Sequence, residues 1–150
     1  GLSKNPFDTR LLLLASQLSY ELHDEQKAED YLLKAKDNAE DLEEIALRLS
    51  NLYLEQERFD EVLKFEEQDI DNVLTKWNIA RAYQALEQTT AALERYRLLL
   101  SDLKENPEFL EQYIYLLREM GEFEKAKHQA EHYLRLVPDD GIMQELYDSL

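Results

Sequence analysis

Apolar side chains recur along this chain at intervals of three and four residues, in blocks separated by short polar turns. That spacing predicts amphipathic helices packed in pairs. The block around residue 80 shows it most plainly. Ile79, Ala80 and Tyr83 form one helical stripe, Glu87-Gln88-Thr89 supplies a turn, and Ala92, Tyr96 and Leu99 form the returning stripe. The arrangement occurs four times, and small or medium apolar residues mark its equivalent places at Ala28, Val62, Ala92 and Ala126, spaced 34, 30 and 34 residues apart. A period near 34 predicts a solenoid, in which each helix pair leans on its neighbours and no single centre is enclosed.

Turn and cap residues agree with that division. Asn5-Pro6 and Asn106-Pro107 each place a capping side chain before a proline suited to the first helical position. Asp71-Asn72 can open the third unit, and Asp24 can cap the helix that runs through Ala28. The expected units are residues 6–38, 39–70, 71–105 and 106–138 of a single domain 1–150, followed by a terminal helix over 139–150. Pro138 closes the last pair, Asp139-Asp140 open the tail, and Ile142, Leu146, Tyr147 and Leu150 sit at helical spacing within it. A cap over the last apolar face is preferred to the first half of a truncated fifth unit. The interval of 30 places a deletion around residues 65–71, so the helix carrying Lys64 to Gln68 should be about one turn short. A change of superhelical twist between the second and third units is the expected result; absorption in the loop is the alternative.

The third unit resembles the tetratricopeptide repeat, with Ala80, Tyr83, Ala92 and Tyr96 at that family's signature positions. The second offers Ser50, Tyr53 and Val62, with Phe59 ahead of its second helix and Phe65 one residue early. The fourth has Gly121 at the turn, then Phe123, Ala126, Ala130 and Tyr133, with Leu117 in place of the tyrosine. In the first, Ala28, Leu32 and Ala35 fit, while the register of the helix from Leu11 to Tyr20 is open by a residue. The resemblance covers residues 6–138 and implies an all-α, right-handed superhelix of about four helix pairs plus a C-terminal capping helix. It also implies a concave face, lined by the first helix of each pair, on which a partner docks.

Composition narrows the picture further. Gly and Pro number three each, which disfavours turn-rich β architectures. The 17 Lys and Arg face 33 Asp and Glu, a formal charge of −16 that repels nucleic acid and anionic membrane surfaces and steers basic segments inward. Cysteine is absent, and the longest apolar run, Leu11 to Ala15, is far short of the ~20 residues that span a bilayer. A cytoplasmic location is the expectation. The opening Gly1-Leu2-Ser3 suggests a piece of a longer protein.

Candidate chemistry is sparse. His128-Gln129-Ala130-Glu131-His132 fits the H-x-x-E-H pattern of zinc hydrolases. Ala126, Ala130 and Tyr133 face the core in the repeat register, however, which turns His128 and His132 outward, away from any pocket. His23 reads as a solvated turn residue. The acidic stretch Glu66 to Asp71 lacks the glycine and the bidentate glutamate of a calcium loop. No cofactor or metal is expected, and enzyme is the least favoured class; zinc hydrolysis through His128, Glu131 and His132 is a remote alternative.

The concave face is where function is expected. Residues three and four apart on the first helices share it: Glu44, Leu47, Arg48, Asn51 and Glu55; Leu74, Trp77, Asn78, Arg81 and Ala85; Glu111, Gln112, Tyr115, Arg118 and Glu119. Arg48, Asn51, Trp77, Asn78 and Arg81, with Tyr115 and Arg118, are the candidate partner-binding residues, since Arg and Asn bond peptide or carboxylate oxygens and Trp and Tyr anchor interfaces. The competing reading packs Trp77 between helices and spends the arginines on nearby acids. Chaperone-binding relatives of the resembled family grip a terminal carboxylate with a Lys/Asn/Asn/Lys/Arg set. Asn51 and Asn78 match its asparagines, but Leu47, Glu108 and Gln112 stand where bases should be, so that ligand is not expected. The leading expectation is a non-catalytic scaffold for a protein or peptide that is basic or presents a free carboxylate to the arginines. The alternative is a module that forms homodimers through an apolar end face around Phe7, Leu11 and Leu14.

Overall fold

The structure is a computed structural model that describes residues 6–39 and 41–150. Asn5, named above as a cap, and the side chain of Phe7 lie outside the described residues. Among those described there are nine α-helices and no strand: α1 Pro6–Glu21, α2 Glu25–Asn38, α3 Glu43–Glu55, α4 Phe59–Leu63, α5 Val73–Ala85, α6 Thr89–Leu103, α7 Pro107–Glu119, α8 Phe123–Leu136 and α9 Gly141–Ser149. None of the described helices is long and apolar enough to cross a membrane.

Local chemistry starts these helices where the side chains foretell it. The backbone N–H of Lys27 donates to the Asp24 carboxylate at 3.1 Å, that of Thr75 to Asn72 at 3.0 Å, that of Phe109 to Asn106 at 3.2 Å and that of Met143 to Asp140 at 3.0 Å. Each cap satisfies an N–H that the helix itself leaves orphaned and contributes about 1 kcal/mol.

The turns inside the pairs are equally regular. His23, Glu57, Glu87 and Gly121 occupy left-handed backbone at φ 62°, 57°, 60° and 76°. They keep the same intervals as the buried Ala28, Val62, Ala92 and Ala126, so turn and small buried residue recur together along the chain. In three of them the following N–H reaches back to close the helix end: Asp24 to the Ser19 carbonyl at 2.8 Å, Arg58 to Tyr53 at 2.8 Å and Glu122 to Leu117 at 2.9 Å. Only the fourth turn places glycine at the strained position.

The chain divides into two compact units, residues 1–86 and 87–150, with the cut falling between α5 and α6. In the first, α1 packs on α2, α2 on α3, and α3 on α4 and α5. Leu32, Ala35, Ile45, Ala46, Leu49, Tyr53, Val62, Phe65, Ile79 and Ala82 form its apolar core. Glu29 is buried, and its carboxylate accepts from Arg58 at 2.9 Å while that guanidinium lies 4.4 Å over the Tyr53 ring. A buried charge requires such a partner.

The shortened helix is shorter than expected. Five residues of α4 and four of a 3₁₀ turn, Lys64–Glu67, stand where α2 has 14. Gln68 then turns to extended backbone. The 3₁₀ turn also accounts for the early aromatic. Tyr96 follows Ala92 by four residues on an α-helix, whereas Phe65 follows Val62 by three. Tightening to three residues per turn brings that shorter step back onto the buried face. Phe65 is 5% exposed and stacks with Tyr53 at 6.4 Å between ring centroids.

In the second unit α6 packs on α7, α7 on α8 and α8 on α9. Its centre is aromatic: Tyr96 lies 5.3 Å from Phe109 and 6.1 Å from Tyr113, ring to ring. Met143 and Leu146 of α9 are buried, whereas Ile142 is exposed.

The repeated left-handed turn generates a testable asymmetry. A Cβ on Gly121 meets no atom within 4 Å, so Gly121→Ala should cost about 1 kcal/mol through backbone strain alone. Glu57→Gly relieves the same strain and should stabilise by up to ~1 kcal/mol. Urea midpoints shifting in opposite directions would match this account; equal shifts would not.

Candidate functional site

Helices α1, α3 and α5 of the first unit border a recess of about 330 Å³, with Ala28 and Leu32 of α2 at its apolar side. Ser16, Gln17 and Tyr20 reach it from α1, Arg48, Asn51 and Glu55 from α3, and Arg81 from α5. Ser16 and Tyr20 on α1, and Arg48, Asn51 and Glu55 on α3, recur three or four apart, as residues on one helical stripe do.

Arg48, Asn51 and Arg81 are therefore gathered at one place. Arg48 donates to the Leu13 carbonyl at 3.2 Å and to the Glu44 carboxylate at 2.8 Å. The pair is solvent-exposed on the Glu44 side, so it contributes little energy. Arg81 lies over the Trp77 ring, 3.9 Å from its centroid.

Trp77 and Asn78 depart from the expected pattern. Their spacing puts both on the open face, yet they are 5% and 3% exposed. Asn78 donates to Ser50 Oγ at 2.9 Å and to Asn51 Oδ1 at 2.8 Å, and its burial is possible because those bonds replace water. Trp77 presents no open docking surface and supports Arg81 from beneath. The stripe on α5 is thus rotated inward at these two positions.

Tyr115 and Arg118 belong to the second unit, on α7. Arg118 is exposed and stands 5.3 Å over the half-buried Tyr115 ring. Gln112, on the same helix, accepts from the Tyr96 hydroxyl at 2.8 Å and so serves the core.

Sequence reasoning overlooked Ser16, Gln17 and Tyr20, because the register of α1 was open. Ser16 donates to the Ala28 carbonyl at 3.1 Å, which ties α1 to α2. Tyr20 donates to Glu55, 2.7 Å from Oε1 and 2.9 Å from Oε2. The signal that could have found Ser16 and Tyr20 is their spacing on one helical stripe.

The zinc alternative finds no ligand set. Glu131 accepts the Tyr147 hydroxyl at 2.7 Å, and His132 Nε2 lies 2.8 Å from the Lys104 carbonyl. His128 is exposed, while His132 is partly buried and turned back towards the end of α6. Among the described residues no three His, Asp or Glu side chains lie close enough to hold a metal ion.

Hydroxyl–carboxylate pairing shapes the titration of this protein. The bond to Glu55 raises the Tyr20 pKa, and the bond to Glu131 raises that of Tyr147. Burial raises Tyr133, which also donates to Asp140 at 2.6 Å, and the same bond lowers Asp140. Burial pushes Tyr53 up to about 12. For a tyrosine whose folded pKa is raised, the contribution to stability is whole below the unfolded value near 10 and is lost as pH climbs through the folded value. For Asp140 the sign reverses: its contribution is whole above an unfolded value near 4 and is lost as pH falls through the lower folded one. Urea titrations should show stability falling from about pH 10 to 12. Tyr133→Phe should flatten part of that loss and part of the acid loss; identical pH curves for the two proteins would contradict it.

Helix pairs of this kind have counterparts among known proteins. The family described as YpiA-like, C-terminal tetratricopeptide repeats matches residues 74–140. A tetratricopeptide repeat protein from Parabacteroides merdae ATCC 43184 has a solved structure similar over 94% of this chain and 57% of its own, with a TM-score of 0.79 and 22% identity. The MamA protein is similar over 95% of this chain and 85% of its own, with a TM-score of 0.74 and 15% identity. The chain thus spans 57% of the length of the first of these relatives. Curated proteins yield no match. At these identities the likeness establishes the fold, an all-α solenoid of tetratricopeptide type.

Proposed function

We propose that this chain, which belongs to the tetratricopeptide-repeat family, is a non-catalytic scaffold whose first unit captures an extended, basic segment of a partner protein. The observation that carries this reading is the recess among α1, α2, α3 and α5, where Arg48, Asn51, Arg81 and Glu55 converge. Its rim offers donors for main-chain carbonyls beside the carboxylates of Glu44 and Glu55. At long range the formal charge of −16 decides the sign of the partner, because it raises the local concentration of cations and repels anions. At short range the arginine and asparagine donors select carbonyl oxygens. The likeness to tetratricopeptide-repeat structures supports protein partners in general; the docking residues and the sign of the partner rest on the recess and on the charge.

Charge reversal tests the reading. Glu44→Lys with Glu55→Lys should weaken capture of a lysine-rich probe peptide at least tenfold while circular dichroism is unchanged. Because the attraction is screened over a Debye length of about 10 Å at 0.1 M salt, binding should also weaken as salt rises. Equal affinity of the double variant and the parent at low salt would move the site elsewhere.

A second reading has an observation of its own. Leu11, Leu14 and Leu18 form one stripe along α1 and are 50%, 56% and 51% exposed, and Leu22, in the turn after it, is 79% exposed. A continuous apolar stripe of this kind suits association with a second copy. Light scattering on Leu14→Lys and the parent should then show a concentration-dependent dimer only in the parent. A parent that stays monomeric up to millimolar concentration removes this reading.

A further inference from the structure

A chain of hydrogen bonds in the first unit runs from backbone to recess, and its direction is set at its buried end. The Ser50 hydroxyl donates to the Leu47 carbonyl at 3.0 Å, and a hydroxyl has only one proton to give. Towards Asn78 it must therefore accept, so the Asn78 atom that faces it at 2.9 Å is the amide nitrogen. The second proton of that nitrogen reaches Asn51 at 2.8 Å, and the Asn51 atom that meets it must be the carbonyl oxygen. Asn51 makes no other side-chain hydrogen bond among the described residues, and it lines the recess. Both of its N–H bonds are left on the open side.

We infer that Asn78 is a positioning residue: through the relay Leu47–Ser50–Asn78–Asn51 it holds the Asn51 amide donor-side outward, so that the recess reads a main-chain carbonyl of the docked segment. The inference rests on the peptide-binding reading above and specifies its chemistry. An amide free to rotate would present oxygen or nitrogen equally and would read nothing. Once anchored, it discriminates a carbonyl from an N–H at that point of the partner backbone. Arg48, one turn earlier on the same helix, and Arg81 flank it with further donors, so the three together favour an acceptor-rich edge of an extended strand. Asn78 touches no ligand in this scheme, and its nearly complete burial suits a part whose partners are all internal.

Side-chain amide exchange measured by NMR on the full chain tests the relay without any ligand. The Asn78 amide protons should exchange with water far more slowly than those of Asn51, which face solvent. Asn78→Asp replaces the donor with an acceptor, so the Asn51 amide should turn over and its protons become protected by tenfold or more. Affinity for an acetylated, amidated probe of alternating lysine and glycine should fall about tenfold in that variant, the scale expected when a repulsion takes the place of one hydrogen bond. In an Asn51→Ala background the same substitution should have no further effect on the probe, which a general loss of structure would not reproduce. Rapid exchange at Asn78 with protection at Asn51 in the parent would overturn the inference even if no variant folds. Failure of the probe to bind a parent that shows the expected exchange pattern would instead overturn the reading of the recess and leave the relay standing.

Discussion

A small or medium side chain buried where α1 crosses α2, α3 crosses α4 and α7 crosses α8 is the constraint on which the rest of this structure depends. Ala28, Val62 and Ala126 are at most 1% exposed. Packed helices approach to about 8–10 Å between axes, and the distance is set by the side chains at the contact. Residues of this size let the second helix of a pair lie close, so the larger side chains around them, such as Leu49, Tyr96 and Ile114, interlock at the density of a protein interior. The left-handed residue that closes each of these turns keeps the same spacing from that crossing. Turn and contact therefore act together: one aims the returning helix, the other sets how near it comes.

An excess of 33 acids over 17 bases has to be accommodated without ion pairs for every carboxylate. Tyrosine hydroxyls take part of that load. Tyr20 donates to Glu55, Tyr83 to Glu66, Tyr133 to Asp140 and Tyr147 to Glu131. Each bond joins residues on different helices or a helix and the turn after it, so the aromatic body packs while its polar end satisfies an acid at the edge.

Much of the recess was legible in advance. Arg48, Asn51 and Arg81 emerge from the three- and four-residue spacing of α3 and α5, and the structure brings them together. Trp77 and Asn78 share that spacing yet are buried, since spacing specifies a face of a helix and not what covers it. Glu131 and His132 illustrate the same limit: a metal-binding pattern on one helix is dissolved by contacts with Tyr147 and Lys104 from elsewhere in the fold. The contribution of α1 was missed for a local reason, because its Leu-rich stretch supports more than one register.

Helix existence, capping and period were decided by the chain alone, since each depends on residues within a turn or two: Asp24, Asn72, Asn106 and Asp140 cap where their side chains reach the third following N–H. The early position of Phe65 was likewise visible, but its meaning was not. Only packing against Tyr53 shows that α4 gives way to a 3₁₀ turn that returns the ring to the core. The orientation of the Asn51 amide lies furthest from the sequence. It depends on Ser50 and Asn78 meeting across two helices, and a hydrogen bond between residues 28 apart exists only once the tertiary fold has brought them within 2.9 Å.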